Sequence, residues 1–170
     1  YFTTFRREVH VVDSEPEGPM FDDLRAREWF AAMDYGYAHY TVVLLGCTDG
    51  DGNVFVVDEH AARLWLPQRH AEAIKAMVAR HRINGVVAMR GQQRLSMRSD
   101  AEVQTRPLAL SDLKRFVAGA DVFSRQSDGT TIAAQYAKHG IALRCANTDR
   151  INGWAEIMNR LGDADAGIAP

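Results

Sequence analysis

The chain has 170 residues, 46% of them apolar, and a formal charge of -2. That length supports one domain with a proper core, and the near-neutral balance excludes an overall basic field, so nucleic-acid contacts must come from local Arg and Lys clusters. Two distant cysteines, Cys47 and Cys145, exclude a disulfide scaffold or zinc knuckle and read as reduced, and no apolar run approaches the ~20 residues of a membrane span.

The first segment, residues 1–27, is mixed. Arg6 to Val12 reads as a short strand, and Asp13 to Pro19, with two Pro, one Gly and three acids, reads as a loop. Trp29 to Met33 is a short apolar run, the pattern of a buried strand, and Asp34 stands at its end. Gly36 permits a turn. The Val-, Leu- and Thr-rich stretch His39 to Cys47 is a second strand, and Asp49 to Asn53 carries residues that tolerate a hairpin turn. Val54 to His60 makes a third strand, with Asp58 and Glu59 near its end.

Pro67 sits where a first helical turn accepts proline, and Ala71, Ile74 and Val78 follow at helical spacing, which predicts a helix over about 67–82. The stretch from Arg90 to Arg106 has no clean period and reads as a surface insertion, within about 90–110. Ser111 to Phe116 reads as a helical turn leading into a strand, Val117 to Phe123, which carries a second lone acid, Asp121. Ile132, Ala133, Tyr136 and Ala137 mark a helix closed by Gly140. Ile141 to Cys145 is a fifth strand. Asp149 or Thr148 caps a last helix in which Ile151, Trp154, Ile157, Met158 and Leu161 read as core. The order β-β-β-α-β-α-β-α predicts a mixed α/β sheet flanked by helices, the order of the ribonuclease H-like fold.

Asp34 and Asp121 are each an acid in an apolar strand, and an unpaired buried carboxylate needs a partner or a metal. In the predicted order their strands are central neighbours, so the two acids meet at one end of the sheet. Two such carboxylates repel when ionised, and a divalent cation removes the repulsion and supplies charge for phosphoryl transfer. Mg²⁺ or Mn²⁺ suits a site of few carboxylates. The plainer reading of a strand-end Asp is a turn cap or salt-bridge partner. Asp58 or Glu59 is a candidate extra ligand, with a water-facing strand-end charge as the simpler alternative. His39 follows the Asp34 turn and reads as a surface residue that a phosphate can reach. Arg90, Arg94, Arg98 and Arg106, with Lys114, Arg115 and Arg125 following, form a basic band able to neutralise DNA phosphates, or else a solvated loop balanced by Asp100 and Glu102.

The chain resembles the nuclease domain of the large terminase subunit of tailed bacteriophages, the motor that cuts and packages viral DNA. The residues carrying the resemblance are Ala32-Met33-Asp34-Tyr35-Gly36-Tyr37, Gly119-Ala120-Asp121-Val122-Phe123, Thr131-Ile132-Ala133 with Tyr136 and Gly140-Ile141, and Asp149-Arg150-Ile151-Asn152-Gly153-Trp154. It covers roughly residues 5–170. The resemblance implies an endonuclease of ribonuclease H-like fold using Mg²⁺ or Mn²⁺, with Asp34 and Asp121 matching the first two catalytic acids. It also implies double-stranded DNA as substrate and, in a full-length protein, an ATPase domain, a small terminase subunit and a portal as partners, all in the host cytoplasm. The family's third acid lies on a C-terminal helix past a segment like Gly167-Ile168-Ala169-Pro170; Asp163 and Asp165 are not expected to replace it. No G-x-x-x-x-G-K-[ST] phosphate loop occurs. The chain starts without Met and both ends are expected to adjoin further sequence. Two other readings share the same residues: a different ribonuclease H-like nuclease, such as a junction resolvase or transposase-like enzyme, and a non-catalytic DNA-binding or assembly module.

Overall fold

A computed structural model describes residues 2–11, 28–49, 51–84, 105–163 and 166–167. The sheet is built from β1 (Glu28–Asp34), β2 (Thr41–Thr48), β3 (Val54–Ala62), β6 (Leu113–Ala118) and β7 (Arg144–Cys145). Its strand order is β3-β2-β1-β6-β7. The first three strands form an antiparallel meander, whereas β6 runs parallel to β1 and β7 parallel to β6. A separate two-stranded sheet pairs β4 (Arg82–Asn84) with β5 (Thr105–Pro107). The helices are α1 (Arg7–His10), α2 (Pro67–Arg80), α3 (Ile132–Lys138) and α4 (Arg150–Leu161). The mixed sheet flanked by helices is the predicted ribonuclease H-like architecture.

Alternation decides which sheet face is buried. Trp29, Ala31 and Met33 of β1 lie opposite Cys47, Leu45 and Val43 of β2, and all six are buried. Phe116 and Ala118 extend the same face through β6. Onto this face α2 lays a stripe of Pro67, His70, Ala71, Ile74, Met77 and Val78, the i, i+3, i+4 spacing of an amphipathic helix. Tyr136 and Ile132 of α3 complete the core. The first turn of α3 is capped by Thr131 Oγ1, which accepts from the Ala134 N–H at 3.0 Å. Gly140, at φ 80°, ends it, and its N–H donates to the Ala137 carbonyl.

On the buried side of β3, Asp58 faces α2 and accepts from Arg80 at 2.9 Å and His81 at 2.8 Å. Burial pushes this carboxyl up, but the bonds from His81 and Arg80 prevail and hold it below the ordinary Asp range. Asp58 therefore ties the sheet to the end of a helix.

Several local expectations are corrected. Residues 7–10 form a short helix, not a strand: the His10 ring bonds the Arg6 backbone and the Leu161 carbonyl. The turn at Leu110–Asp112 is a 3₁₀ helix, and β6 starts at Leu113 and ends at Ala118. Asp121 lies in a second 3₁₀ turn, Ala120–Phe123, rather than inside a strand. The fifth strand shrinks to Arg144–Cys145. The third runs on to Ala62, so Asp58 and Glu59 are interior to it. On α4, Ile151 is 80% and Trp154 47% exposed, so this face is not core. The Asp13–Pro19 loop and Arg90, Arg94 and Arg98 of the basic insertion lie outside the described residues. Among the described residues no helix is long and apolar enough to cross a membrane.

Candidate functional site at the carboxyl ends of β1 and β6

Because β1 and β6 are parallel neighbours, their carboxyl ends point the same way. Asp34 is the last residue of β1. Its partner on β2 is Val42, so its side chain stands on the sheet face opposite the core. The pair Met33–Ala118 is the last between β1 and β6, which leaves Gly119 as the next residue beside Asp34. Asp121 sits two residues further, in the 3₁₀ turn, and its carboxylate folds back over Gly119. A Cβ on Gly119 would fall 2.5 Å from Asp121 Oδ1. Gly119 thus leaves room for this carboxylate to lie back toward the sheet end that carries Asp34. Both acids are exposed, not embedded as the strand reading expected.

The turn after Asp34 is held from two sides. Thr41, fully buried, donates through Oγ1 to the Gly36 carbonyl at 2.6 Å and accepts from the Gly36 N–H at 3.2 Å. The Leu64 N–H, in the loop after β3, donates to the Tyr37 carbonyl at 2.8 Å. A Cβ on Gly36 would lie 2.8 Å from the Tyr40 carbonyl oxygen and 3.0 Å from His39 backbone atoms. Those are backbone atoms that cannot swing aside. Gly36→Ala is therefore expected to open the turn and destabilise the protein by about 1–3 kcal/mol, the range for overpacking. A urea midpoint equal to that of the parent chain would refute this.

Beneath the turn, Tyr35 meets Tyr136 edge-on at 6.3 Å between centroids. His70 lies behind Tyr136, fully buried, with its Nδ1 2.9 Å from His60 Nε2. Burial, with the charge of His60 and Arg69, lowers His70 to about 4.

The remaining candidates are dispersed. Glu59 is on the Asp34 face, but opposite Leu44, two strands across and two residues back from Asp34's row. Strand spacing puts it roughly 12 Å from Asp34 between Cα atoms. His39 is exposed. Arg125 follows the Asp121 turn, exposed, and its backbone bridges Thr131. Arg106 is paired with Asp112 at 2.6 Å, and Lys114 with Glu28. Among the described residues, no three of His, Cys, Asp and Glu gather closely enough to hold a metal ion by themselves. The donors at the sheet end are two hard carboxylates open to solvent, a set that fits Mg²⁺ or Mn²⁺ retaining several waters. Sequence alone assigned no role at the site to Thr41 or to Gly119. Thr41 looked like an ordinary strand residue, and Gly119 lay inside an apolar run that read as continuous strand.

No protein-family model matches the sequence, and no curated protein matches it. Solved structures match the fold. The P22 large terminase nuclease domain is similar over 85% of this chain and 61% of its own, at TM-score 0.53 and 11% identity. The large terminase of a thermophilic bacteriophage is similar in two crystal forms, each over 94% of this chain at TM-score 0.57, with 16% and 14% identity. The chain spans only 31% and 30% of the length of those two thermophilic-phage structures. The fold is that of terminase large-subunit nuclease domains.

Proposed function

We propose that this chain is the nuclease part of a phage-type large terminase, a divalent-metal-dependent endonuclease that cuts double-stranded DNA during genome packaging. The observation that carries the reading is the placement of Asp34 and Asp121 at the same end of two adjacent parallel strands, on a sheet with the terminase nuclease fold. Asp34 and Asp121 would hold Mg²⁺ or Mn²⁺, with Glu59 a more distant carboxylate on the same face. Such ions, when bound, supply the positive charge that activates water and steadies the leaving oxygen in a two-metal hydrolysis.

The chain's own part is positional. Without a cation the two carboxylates repel a phosphodiester at the cutting site, so a bound cation is expected to tighten DNA binding there. The Gly36–Thr41 turn fixes the backbone that follows Asp34, and Gly119 leaves the Asp121 carboxylate its place. Arg125, exposed beside the Asp121 turn, would meet a flanking phosphate, and Arg90, Arg94 and Arg98 remain proposed DNA contacts. In a longer protein the partners would be an ATPase domain, a small subunit and a portal, and the setting the host cytoplasm.

The test is nicking of supercoiled plasmid with Mn²⁺ and with EDTA; cutting that survives EDTA rejects the reading. Gly119→Ala probes the pair separately. Its φ of -56° suits alanine, and the atom displaced is the far end of a side chain, so stability should change by less than about 0.5 kcal/mol. Mn²⁺ affinity measured by calorimetry should fall about tenfold as Asp121 is pushed away. An unchanged affinity would mean that Asp121 is not a ligand. The alternative of a DNA-binding or assembly module draws on the lack of a third ligand beside the pair among the described residues. No Mn²⁺ binding at millimolar concentration would favour it.

A further inference from the structure

The sheet end that carries Asp34 also carries a ridge of exposed side chains to which no part of the hydrolysis assigns a role. Tyr37 and Tyr40, in the turn after Asp34, are 52% and 56% exposed, and Leu64 and Leu66, in the loop after β3, are 60% and 67% exposed. The two loops are brought together because β2 and β3 are antiparallel, with Thr41 opposite Ala62. Leu64 N–H to Tyr37 carbonyl then fastens one to the other.

The ridge is held in a costly shape. Leu64, at φ 61°, is the one non-glycine residue with positive φ among the described residues. A γ-branched side chain gains nothing from that conformation, and such strain persists only where the surroundings impose it. Here it leaves the leucine side chain in water. The fold thus holds an apolar and aromatic edge outward, next to two carboxylates.

The ridge is also cationic. From Tyr35 to Gly46 and from His60 to Ala71 the sequence contains no Asp or Glu. The Arg63 guanidinium lies over the Tyr40 ring, 5.7 Å from its centroid, and that of Arg69 lies over Trp65 at 3.8 Å. Neither arginine meets a carboxylate among the described residues. Exposed aromatic rings interleaved with unpaired arginines suit a polyanion that also offers flat faces. Rings stack on bases, but only on bases already out of the duplex stack, while guanidinium groups neutralise phosphates.

We propose that Tyr37, Tyr40 and Arg63 form a stacking lip for unpaired DNA bases beside the cutting site, so that DNA with a local single-stranded gap is bound in preference to intact duplex. The inference rests on the nuclease reading for its ligand, yet it concerns binding and can be tested without cleavage.

The experiment uses Asp34→Asn protein without divalent ions and two labelled duplexes of the same length, one intact and one with a gap of a few nucleotides. Fluorescence anisotropy should show the gapped duplex bound about tenfold more tightly. Tyr37→Ala and Tyr40→Ala should each erode that preference, and the double variant should abolish it with an unchanged melting temperature. Tyr40→Phe, which keeps the ring, should retain it. Arg63→Gln should weaken both duplexes and lower the slope of log affinity against log salt by about 1. Equal binding of the two duplexes by the parent protein, or an undiminished preference in the double variant, overturns the lip. Plasmid nicking by otherwise unmodified protein separates the two ideas. If Asp34→Asn still nicks while the tyrosine variants lose the preference, the catalytic assignment falls and the lip stands. If Asp34 proves essential and the tyrosines do nothing, the reverse holds.

Discussion

Replacing Asp34 with Asn is expected to lower Mn²⁺-dependent nicking of plasmid DNA by on the order of a thousandfold, a barrier increase of about 4 kcal/mol. The substitution keeps the side chain's size and removes its charge. An amide is a poor ligand for a hard cation, so the loss falls on metal holding rather than on shape. The Asp34 side chain is exposed and has no hydrogen-bond or ion-pair partner among the described residues, so stability should stay within about 0.5 kcal/mol of the parent. That contrast is the diagnostic one: activity lost, fold kept. Calorimetry on the same variant should show the Mn²⁺ signal weakened or gone. Undiminished nicking would remove Asp34 from the chemistry, and with it the proposed metal pair.

The second large effect concerns pH. His70 is fully buried, and its ring is lowered from 6.5 to about 4, first by burial and then by the charges of His60 and Arg69. The unfolded chain takes up this proton near pH 6.5, whereas the folded protein resists it until near pH 4. Between those values the unfolded state binds more protons, so stability falls as pH falls. The contribution is whole above pH 6.5 and is lost progressively below it, at up to 1.4 kcal/mol per pH unit, for a total of about 3 kcal/mol by pH 4. His60, also lowered by burial, acts in the same direction. Urea unfolding at pH 7.5, 5.5 and 4.5 should follow this course. His70→Phe should be weaker at pH 7.5, because His60 loses its partner, but its stability should change less between pH 7.5 and 4.5. A variant as acid-sensitive as the parent would mean that the proton goes elsewhere. The His70–Tyr136–Tyr35 ring cluster lies beneath the turn after Asp34, so the titration occurs next to the site.

How much of this could be read from residues alone varies with the range of the interaction that decides it. The strand Glu28–Asp34 was legible because Trp29 to Met33 is an unbroken apolar run short enough for a buried strand, although which alternate residues face the core was not. The helix Pro67–Arg80 was legible because proline marks its start and its apolar stripe has the helical period. Side-chain chemistry offered Asp149 or Thr148 as the cap of the last helix, and the structure selects Asp149, whose carboxylate accepts from the Asn152 N–H at 3.1 Å. The central pairing of the strands leading to Asp34 and Asp121 followed from element order.

Misreadings arose where local pattern was ambiguous. Val117 to Phe123 is apolar enough for a strand, yet pairing with β1 stops at Ala118, and the chain turns once its neighbour has ended. The helix Arg150–Leu161 has a clear apolar stripe, but a stripe states only that a face is apolar and not what covers it.

Sequence by itself determined the periods of the main strands and helices and their order, because these depend on side chains a few residues apart. Only the tertiary structure decided that Asp121 leaves the strand and folds over Gly119. It alone set Glu59 rows away from Asp34, buried His70 against His60, and left Tyr37 and Tyr40 exposed beside the strained Leu64. Most of these outcomes depend on where a neighbouring strand ends or which segment packs alongside, and a one-dimensional pattern does not carry that information.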